Sequence, residues 1–275
     1  MNLHRMLLER AEKGTPIRVG LIGAGKFGSM FLAQARLTPG IHVFGIADLE
    51  LARAQEACRR THWPAEQYGA PSFAVARKTG TTHLTDDAFA LIAADGLDVV
   101  IEATGSPSAG IRHALAAIEH GRHIVMVTVE ADVLAGPLLN RRARQAGVVY
   151  SLAYGDQPAI ICELVDWARA SGFSVVCAGK GTRYHPDFHA STPETVWENF
   201  GWSRETVAKA GVNPKMYNSF IDGTKSGIEM TAVCNATGLT PPPDGLGFPP
   251  CAAVDIAKVC KPRADGGTLH HKGTV

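Results

Sequence analysis

Residues 17–28 read Ile17-Arg18-Val19-Gly20-Leu21-Ile22-Gly23-Ala24-Gly25-Lys26-Phe27-Gly28, and Asp48 stands twenty residues after the last glycine. The first six, apolar apart from Arg18 and Gly20, have the pattern of a buried strand. Three glycines in G-x-G-x-x-G spacing then open a segment of helical periodicity over 26–37, and a second apolar run, 41–47, ends on Asp48. Between a strand and a helix such glycines allow a tight bend and let a pyrophosphate approach the helix N-terminus. An acid at the end of the next strand accepts ribose hydroxyls. In a chain with 29 glycines the motif alone is weak. The flanking strand, helix and acid give it weight. Gly23, Gly25, Lys26, Phe27, Gly28 and Asp48 are the expected dinucleotide contacts, with Arg53 placed to reach a 2′-phosphate. A solvated helix face is the plainer reading of Lys26 and Arg53.

Strand and helix alternate outward from this turn. Residues 2–13 form a short helix with Leu3, Met6, Leu7 and Ala11 on one face, stopped by Gly14. A polar insertion spans 62–80, and Asp86-Asp87 cap a helix ending at Gly96. A strand at 98–103 leads through a small-residue turn into a helix over 108–120, stopped by Gly121. A strand at 123–129, a helix through Arg144 and a strand at 148–152 complete the run. This order predicts right-handed βαβ units on a parallel sheet, an α/β fold whose first 152 residues are a doubly wound Rossmann domain with an N-terminal helix. Ala103, Thr104, Gly105 and Pro107 lie at the carboxyl edge of that sheet and are expected along the nicotinamide half of the cofactor. Helix capping by Ser106 or Ser108 is the plainer reading of the same turn.

From Tyr154 the texture changes. A helix is expected over 157–171, a strand over 173–178, a polar and aromatic loop over 179–225 and a helix over 227–236. This makes 153–240 an α+β catalytic and dimerisation region. Residues 241–275 are a Pro/Gly-rich segment that either returns to the first domain or leads to a further C-terminal one. Loops of this composition concentrate functional groups. Lys180 lies between Gly179 and Gly181, and Asp222-Gly223-Thr224-Lys225 places an acid and a lysine at a helix start. Lys180, Lys225 and Asp222 are the expected catalytic residues, since a lysine there can polarise a carbonyl oxygen or move a proton. An exposed turn lysine and simple capping by Thr224 are the alternatives. Arg183, Lys215, Asn218 and Ser219 are donors suited to a substrate phosphate or hydroxyl group. His185, Asp187, His189 and Glu194 are close in sequence but lack zinc or EF-hand spacing, so no metal ligand is assigned and a divalent ion stays an open option.

The 275 residues suit one large or two ordinary domains. Hydrophobic residues at 45% and charged residues at 19% exclude a disordered chain or a coiled coil. A net charge of +1 gives no field toward nucleic acid or a membrane surface. Six cysteines without a CxxC pair read as reduced thiols, and no apolar run reaches the roughly 18 residues a bilayer span needs. The N-terminus lacks a signal-peptide core, so a cytoplasmic location is expected.

The run Asp98-Val99-Val100-Ile101-Glu102-Ala103-Thr104-Gly105 and the later His123-Ile124-Val125-Met126-Val127-Thr128 resemble homoserine dehydrogenase and its relatives. Where those enzymes carry a Thr-Ala-Asn-Lys with a catalytic lysine, this chain has Thr128-Val129-Glu130-Ala131. The chain is more similar to the homoserine-dehydrogenase-like oxidoreductases that include 1-deoxy-D-xylulose 5-phosphate reductoisomerase-like enzymes. Residues 1–28, 178–182, 218–226 and 261–267 carry that similarity. The resemblance implies NADPH-dependent conversion of deoxyxylulose phosphate to methylerythritol phosphate in isoprenoid precursor synthesis. It also implies a phosphorylated sugar substrate, a homodimer and a further β-rich domain. Asp48 leans toward NADH and the resemblance toward NADPH, so NADPH is expected with NADH accepted. Two alternatives stand beside it: a dehydrogenase of another small polyol, sugar acid or hydroxy acid, and a non-catalytic NAD(P)H sensor, which would need no electrophilic lysine.

Overall fold

A computed structural model of the chain describes residues 2–210 and 212–275; Met1, where the expected first domain begins, and Gly211 lie outside the described residues. The chain divides into two compact units, Met1–Ala153 and Tyr154–Val275.

In the first unit the strands β1 (Ile17–Ile22), β2 (Ile41–Ala47), β3 (His83–Thr85), β4 (Val99–Glu102), β5 (His123–Met126) and β6 (Tyr150–Leu152) form one sheet. All its pairings are parallel, in the order β3-β2-β1-β4-β5-β6. Helix α1 (Leu3–Glu12) precedes β1, and α2 (Lys26–Ala35), α3 (Leu51–Arg60), α4 (Phe73–Thr79), α5 (Ala88–Ala93), α6 (Pro107–Glu119) and α7 (Val129–Gln145) connect the strands. Parallel strands need crossovers, and the crossovers cover both faces, which is why the strands are apolar throughout. One face packs Phe44, Leu91, Val100, Ile124, Met126 and Leu139; the other packs Leu21, Leu32, Val43, Ile46 and Cys58. Strand order reverses between β1 and β4, so the crevice at their carboxyl ends is the switch point where α/β sheets take ligands.

The structure departs from the sequence expectations in three places here. The polar insertion holds α4, capped by the Ser72 side chain, and is followed by the edge strand β3, three residues long. The strand expected over 123–129 stops at Met126, because α7 begins at Val129. Of the apolar face of α1, Leu3 and Met6 are exposed and Leu7 is partly buried.

Helix α7 carries a buried acid. Asp132 accepts a hydrogen bond from the Tyr150 hydroxyl at 3.0 Å, and burial pushes its carboxyl above the usual aspartate range. A raised folded-state pKa means stability that is complete below the ordinary aspartate pKa and declines as pH rises through the raised one. Asp132→Asn keeps the acceptor and removes the charge. Its melting temperature is expected to exceed that of the parent protein at neutral pH, the gap closing as the buffer is acidified. A gap that does not depend on pH would contradict this.

The second unit contains α8 (Gln157–Ala170), α9 (Val196–Phe200), α10 (Arg204–Ala210), α11 (Pro214–Ile221), α12 (Thr224–Thr237) and α13 (Ile256–Val259). Its core joins Ile161 and Val165 of α8 to Met230 and Val233 of α12 and to Leu239. The strand expected over 173–178 is irregular chain with one isolated bridge, Cys177 to Thr274, and Phe173 stays exposed. Without a neighbouring strand to make a ladder, local β-propensity does not become a strand. Thr274 also bridges Thr240, and its hydroxyl donates to Thr240 O at 2.9 Å. Three helices lie within the segment expected to be loop. Asn213 accepts from the backbone N–H groups of Lys215 and Met216 to start α11, and Trp197, Phe200, Trp202 and Tyr217 pack together, ring centroids 5.3–5.8 Å apart. Among the described residues no helix is long and apolar enough to cross a membrane.

Candidate functional site

At the switch point the turn from β1 to α2 passes the turn from β4 to α6. Gly23 has φ +99°, and a Cβ there would sit 2.6 Å from Ala103 O. A Cβ on Gly28 would fall on Gly23 O. Both positions therefore require glycine for packing alone. Gly25, the N-cap residue of α2, differs: nothing of the protein beyond its immediate neighbours lies within 4 Å of where its Cβ would stand. The room there lies directly over the unpaired N–H groups of the first helical turn. Lys26 and Phe27 are exposed on that turn.

Asp48, buried at the end of β2, accepts from Ala24 N at 2.8 Å and from Glu50 N at 3.0 Å. It thus fastens the glycine turn while presenting carboxylate at the crevice. Arg53, expected to reach a 2′-phosphate, is held by two acids. Its guanidinium lies 3.7 Å from Asp48 Oδ1 and donates to Glu50 Oε1 at 2.9 Å. Two carboxylates already hold the charge that was to greet a 2′-phosphate.

Across the crevice, fully buried Glu102 organises the second turn. The Thr104 hydroxyl donates to Glu102 Oε1 at 2.6 Å, the Thr128 hydroxyl to Oε2 at 2.5 Å, and His113 Nδ1 lies 3.3 Å from Oε1. Gly105 N donates to Thr128 Oγ1 at 3.0 Å, and Ser106 N to Thr104 Oγ1 at 3.2 Å. Ser106 occupies the N-cap position of α6 without a side-chain bond, and Pro107 follows as its first residue. One carboxylate therefore ties together the ends of β4 and β5. Glu102, His113 and Thr128 were not among the expected site residues, though an acid inside an apolar strand was a readable signal. The donor-rich helix end, the space at Gly25 and the acid at Asp48 fit a dinucleotide.

In the second unit Lys180 and Lys225 converge on one carboxylate. Lys180 Nζ pairs with Glu229 Oε2, and Lys225 Nζ lies 3.7 Å from Oε1. Glu229 is buried one helical turn beyond Lys225 on α12, while about a fifth of each lysine side chain is exposed. A carboxylate so buried is costly unless paired, and two cations pair it. Glu229 is a site residue the sequence reading missed.

Asp222 is placed as a cap and clamp. Its Oδ1 accepts from Thr224 N and its Oδ2 from Asn218 Nδ2, both at 2.8 Å. Capping of α12 thus falls to Asp222 and not to Thr224. Asn218 Nδ2 also donates to Ser191 O at 3.2 Å, whereas its buried Oδ1 meets no donor among the described residues. His189 bridges Asp222 O, 3.0 Å, and the Tyr184 hydroxyl, 3.1 Å. The Ser219 hydroxyl is spent on Met216 O at 2.7 Å. Arg183 lies 5.9 Å from the ring centres of Phe188 and Phe200, and Lys215 is exposed. Among the described residues no three His, Cys, Asp or Glu side chains gather as metal ligands.

The two units match two family models. Residues 17–127 match an oxidoreductase family described by its NAD-binding Rossmann fold, and residues 155–275 match the catalytic domain of the oxidoreductase DRL. A Rossmann unit matching an NAD-binding oxidoreductase family is thus followed by a unit matching an oxidoreductase catalytic domain. Similar solved structures include an NAD binding oxidoreductase from Klebsiella pneumoniae, at 20% identity over 59% of this chain and 41% of that one, TM-score 0.43. Another is scyllo-inositol dehydrogenase from Lactobacillus casei with bound NAD(H) and scyllo-inositol, at 13% identity over 59% and 44%, TM-score 0.42. A third is biliverdin reductase from Synechocystis sp. PCC 6803 in complex with biliverdin and NADP+, at 18% identity over 62% and 49%, TM-score 0.41. The chain spans less than half the length of each of these three. No curated protein matches the sequence.

These matches correct the resemblance to homoserine dehydrogenase and to the deoxyxylulose phosphate reductoisomerase-like enzymes, since neither family model is of either group. With it go the isoprenoid assignment and the reductoisomerase step. The glycine turn and the strand ending Glu102-Ala103-Thr104-Gly105 misled because a Rossmann switch point demands such residues whatever the substrate.

Proposed function

We propose that the protein is a dehydrogenase interconverting the carbonyl and hydroxyl forms of a small polyol, sugar acid or hydroxy acid with NAD(H). The observation that carries this reading is the convergence of Lys180 and Lys225 on buried Glu229 in the unit that matches an oxidoreductase catalytic domain. A binding-only sensor has no use for two part-exposed ammonium groups anchored in this way. The nicotinamide, when bound, supplies or accepts the hydride at the substrate carbon. The lysines do the remainder. Their N–H groups donate to the substrate oxygen, stabilise the charge that grows on it, and deliver the proton that turns it into a hydroxyl. Glu229 keeps both ammonium groups in place. Cofactor oxidation followed against a panel of small carbonyl compounds, and cofactor reduction against the matching alcohols, tests the reading. Turnover of at least one compound is expected; tight cofactor binding with no turnover across the panel would favour the sensor.

The cofactor preference follows from Asp48 and Arg53. A 2′-phosphate would meet the Asp48 carboxylate, and the nearby cation is already shared between Asp48 and Glu50. We expect kcat/KM to favour NADH over NADPH by at least about tenfold, roughly 1.4 kcal/mol. Asp48→Ser should narrow that ratio. Equal use of both cofactors by the parent protein would show that Arg53 leaves its partners.

A further inference from the structure

The first unit holds a cavity of about 400 Å³ at the end of the sheet opposite the glycine turn. Arg18, Ile41 and His42 line it from the starts of β1 and β2, whereas Gly23 and Asp48 follow the ends of those strands. Arg18, Arg36 and Arg77 are among its lining residues, and no acid is. The chain as a whole carries a net charge of only +1, so this is a local concentration of positive charge. Arg18 has partners: its Nε lies 3.6 Å from Asp98 Oδ2 and donates to Gly96 O. The Arg77 guanidinium packs over the same Gly96, where an added Cβ would stand 3.2 Å from Arg77 Cζ. Two cations thus flank one glycine. Arg36 and Arg77 are exposed and make no hydrogen bond or ion pair among the described residues. The neutral donors of the wall, by contrast, are occupied. His42 Nε2 donates to Thr81 O at 2.7 Å, the Thr82 hydroxyl to Val43 O at 2.6 Å and the Trp63 indole N–H to Leu32 O at 3.0 Å. The charged donors left to meet a ligand are the guanidinium groups of Arg36 and Arg77, beside the apolar surfaces of Ile41 and Trp63.

We propose that this cavity binds a small organic dianion, a phosphate monoester or a dicarboxylate, with its charged head on Arg36 and Arg77 and its carbon part against Trp63 and Ile41. A guanidinium presents N–H donors in a fixed fork that matches either head group. Cations gathered without a facing carboxylate repel one another, and a dianion between them turns that repulsion into attraction. The volume lies within the range of small-molecule sites, about 300–1,000 Å³. Strand β1 has six residues, a length of about 20 Å, so the anion and the dinucleotide occupy separate places on the same unit.

Calorimetric titration of the whole protein with phenyl phosphate, phthalate and inorganic phosphate tests this. Saturable binding of phenyl phosphate or phthalate is expected, and the tighter of the two identifies the head group. Inorganic phosphate, which lacks the apolar part, should bind at least about tenfold more weakly. Arg36→Ala and Arg77→Ala remove exposed side chains without partners, so the fold should survive, as thermal melting checks. Each should weaken the tighter probe by about tenfold, and the double variant should abolish its binding. Saturating NADH should leave the titration unchanged. The proposal is overturned if neither organic anion binds, if inorganic phosphate binds as tightly as phenyl phosphate, or if the folded double variant binds like the parent protein. Competition by NADH would place the anion in the dinucleotide crevice and overturn it too.

Discussion

Valine in place of Gly25 is expected to raise the dissociation constant for the dinucleotide by about a hundredfold or more, on the order of 3 kcal/mol, while the unliganded protein melts as before. The two halves of this expectation have separate causes. The backbone at Gly25 has φ −71°, within reach of any residue, and no described atom beyond its chain neighbours lies within 4 Å of an added Cβ. Folding should therefore tolerate the side chain. Binding should not, because the branched group stands over the N–H groups of the first turn of α2, where a pyrophosphate needs close backbone approach. Gly23→Ala is the contrasting variant. Its φ of +99° and the collision with Ala103 O put the cost in the fold itself, about 1–3 kcal/mol from the backbone alone. Titration of nicotinamide fluorescence alongside thermal melting separates the two. A Gly25→Val protein that binds the cofactor normally would remove the crevice from consideration.

The other large effect is expected at the lysines. Lys180→Met and Lys225→Met should each lower turnover by about 10²–10³, with cofactor affinity unchanged, as for the loss of one donor to a developing oxyanion. Because both cations face Glu229, either variant leaves that carboxylate one partner. Breaking a buried ion pair outright costs about 3–5 kcal/mol, so folding is checked by melting and by the double variant Lys180→Met/Glu229→Gln, in which the buried charge goes too. A double variant that is folded and inactive supports a chemical role for Lys180. One that regains full turnover would show that Lys180 serves only to neutralise Glu229.

The sheet was legible wherever a strand was long and bounded. Ile17–Ile22 and Ile41–Ala47 fall where the apolar runs and the glycines after them place them. Strand β3 was not legible, because His83-Leu84-Thr85 has neither the length nor the alternation to stand out; it exists because Ala47 and Gly45 offer it an edge. The same division runs through the site. The glycine turn and Asp48 are signalled locally, since the positive φ of Gly23, the approach of Gly28 to Gly23 O and the bond from Ala24 N to Asp48 all lie within thirty or so residues. Glu229 looks like any acid on an exposed helix face, and only the arrival of Lys180 from a distant turn makes it buried and paired. Helices α9 and α11 were hidden for a related reason, as their apolar faces carry aromatic rings packed on one another and not a regular stripe of aliphatics.

The bridges made by Thr274 bear on how the polypeptide is made. The sheet of the first unit draws only on residues up to Leu152, so it can form while later codons are still being read. The second unit cannot close in the same way. Val275 packs against its core, and Thr274 makes β-bridges to Thr240 and to Cys177, nearly a hundred residues before it. Pairings of such sequence separation carry a large loop-closure cost and are late events in folding. During synthesis, Ile161, Val165, Met230 and Val233 must wait for Thr274 and Val275 to emerge. Aggregation of this protein is therefore expected to begin from chains whose first half is native and whose second half is still open.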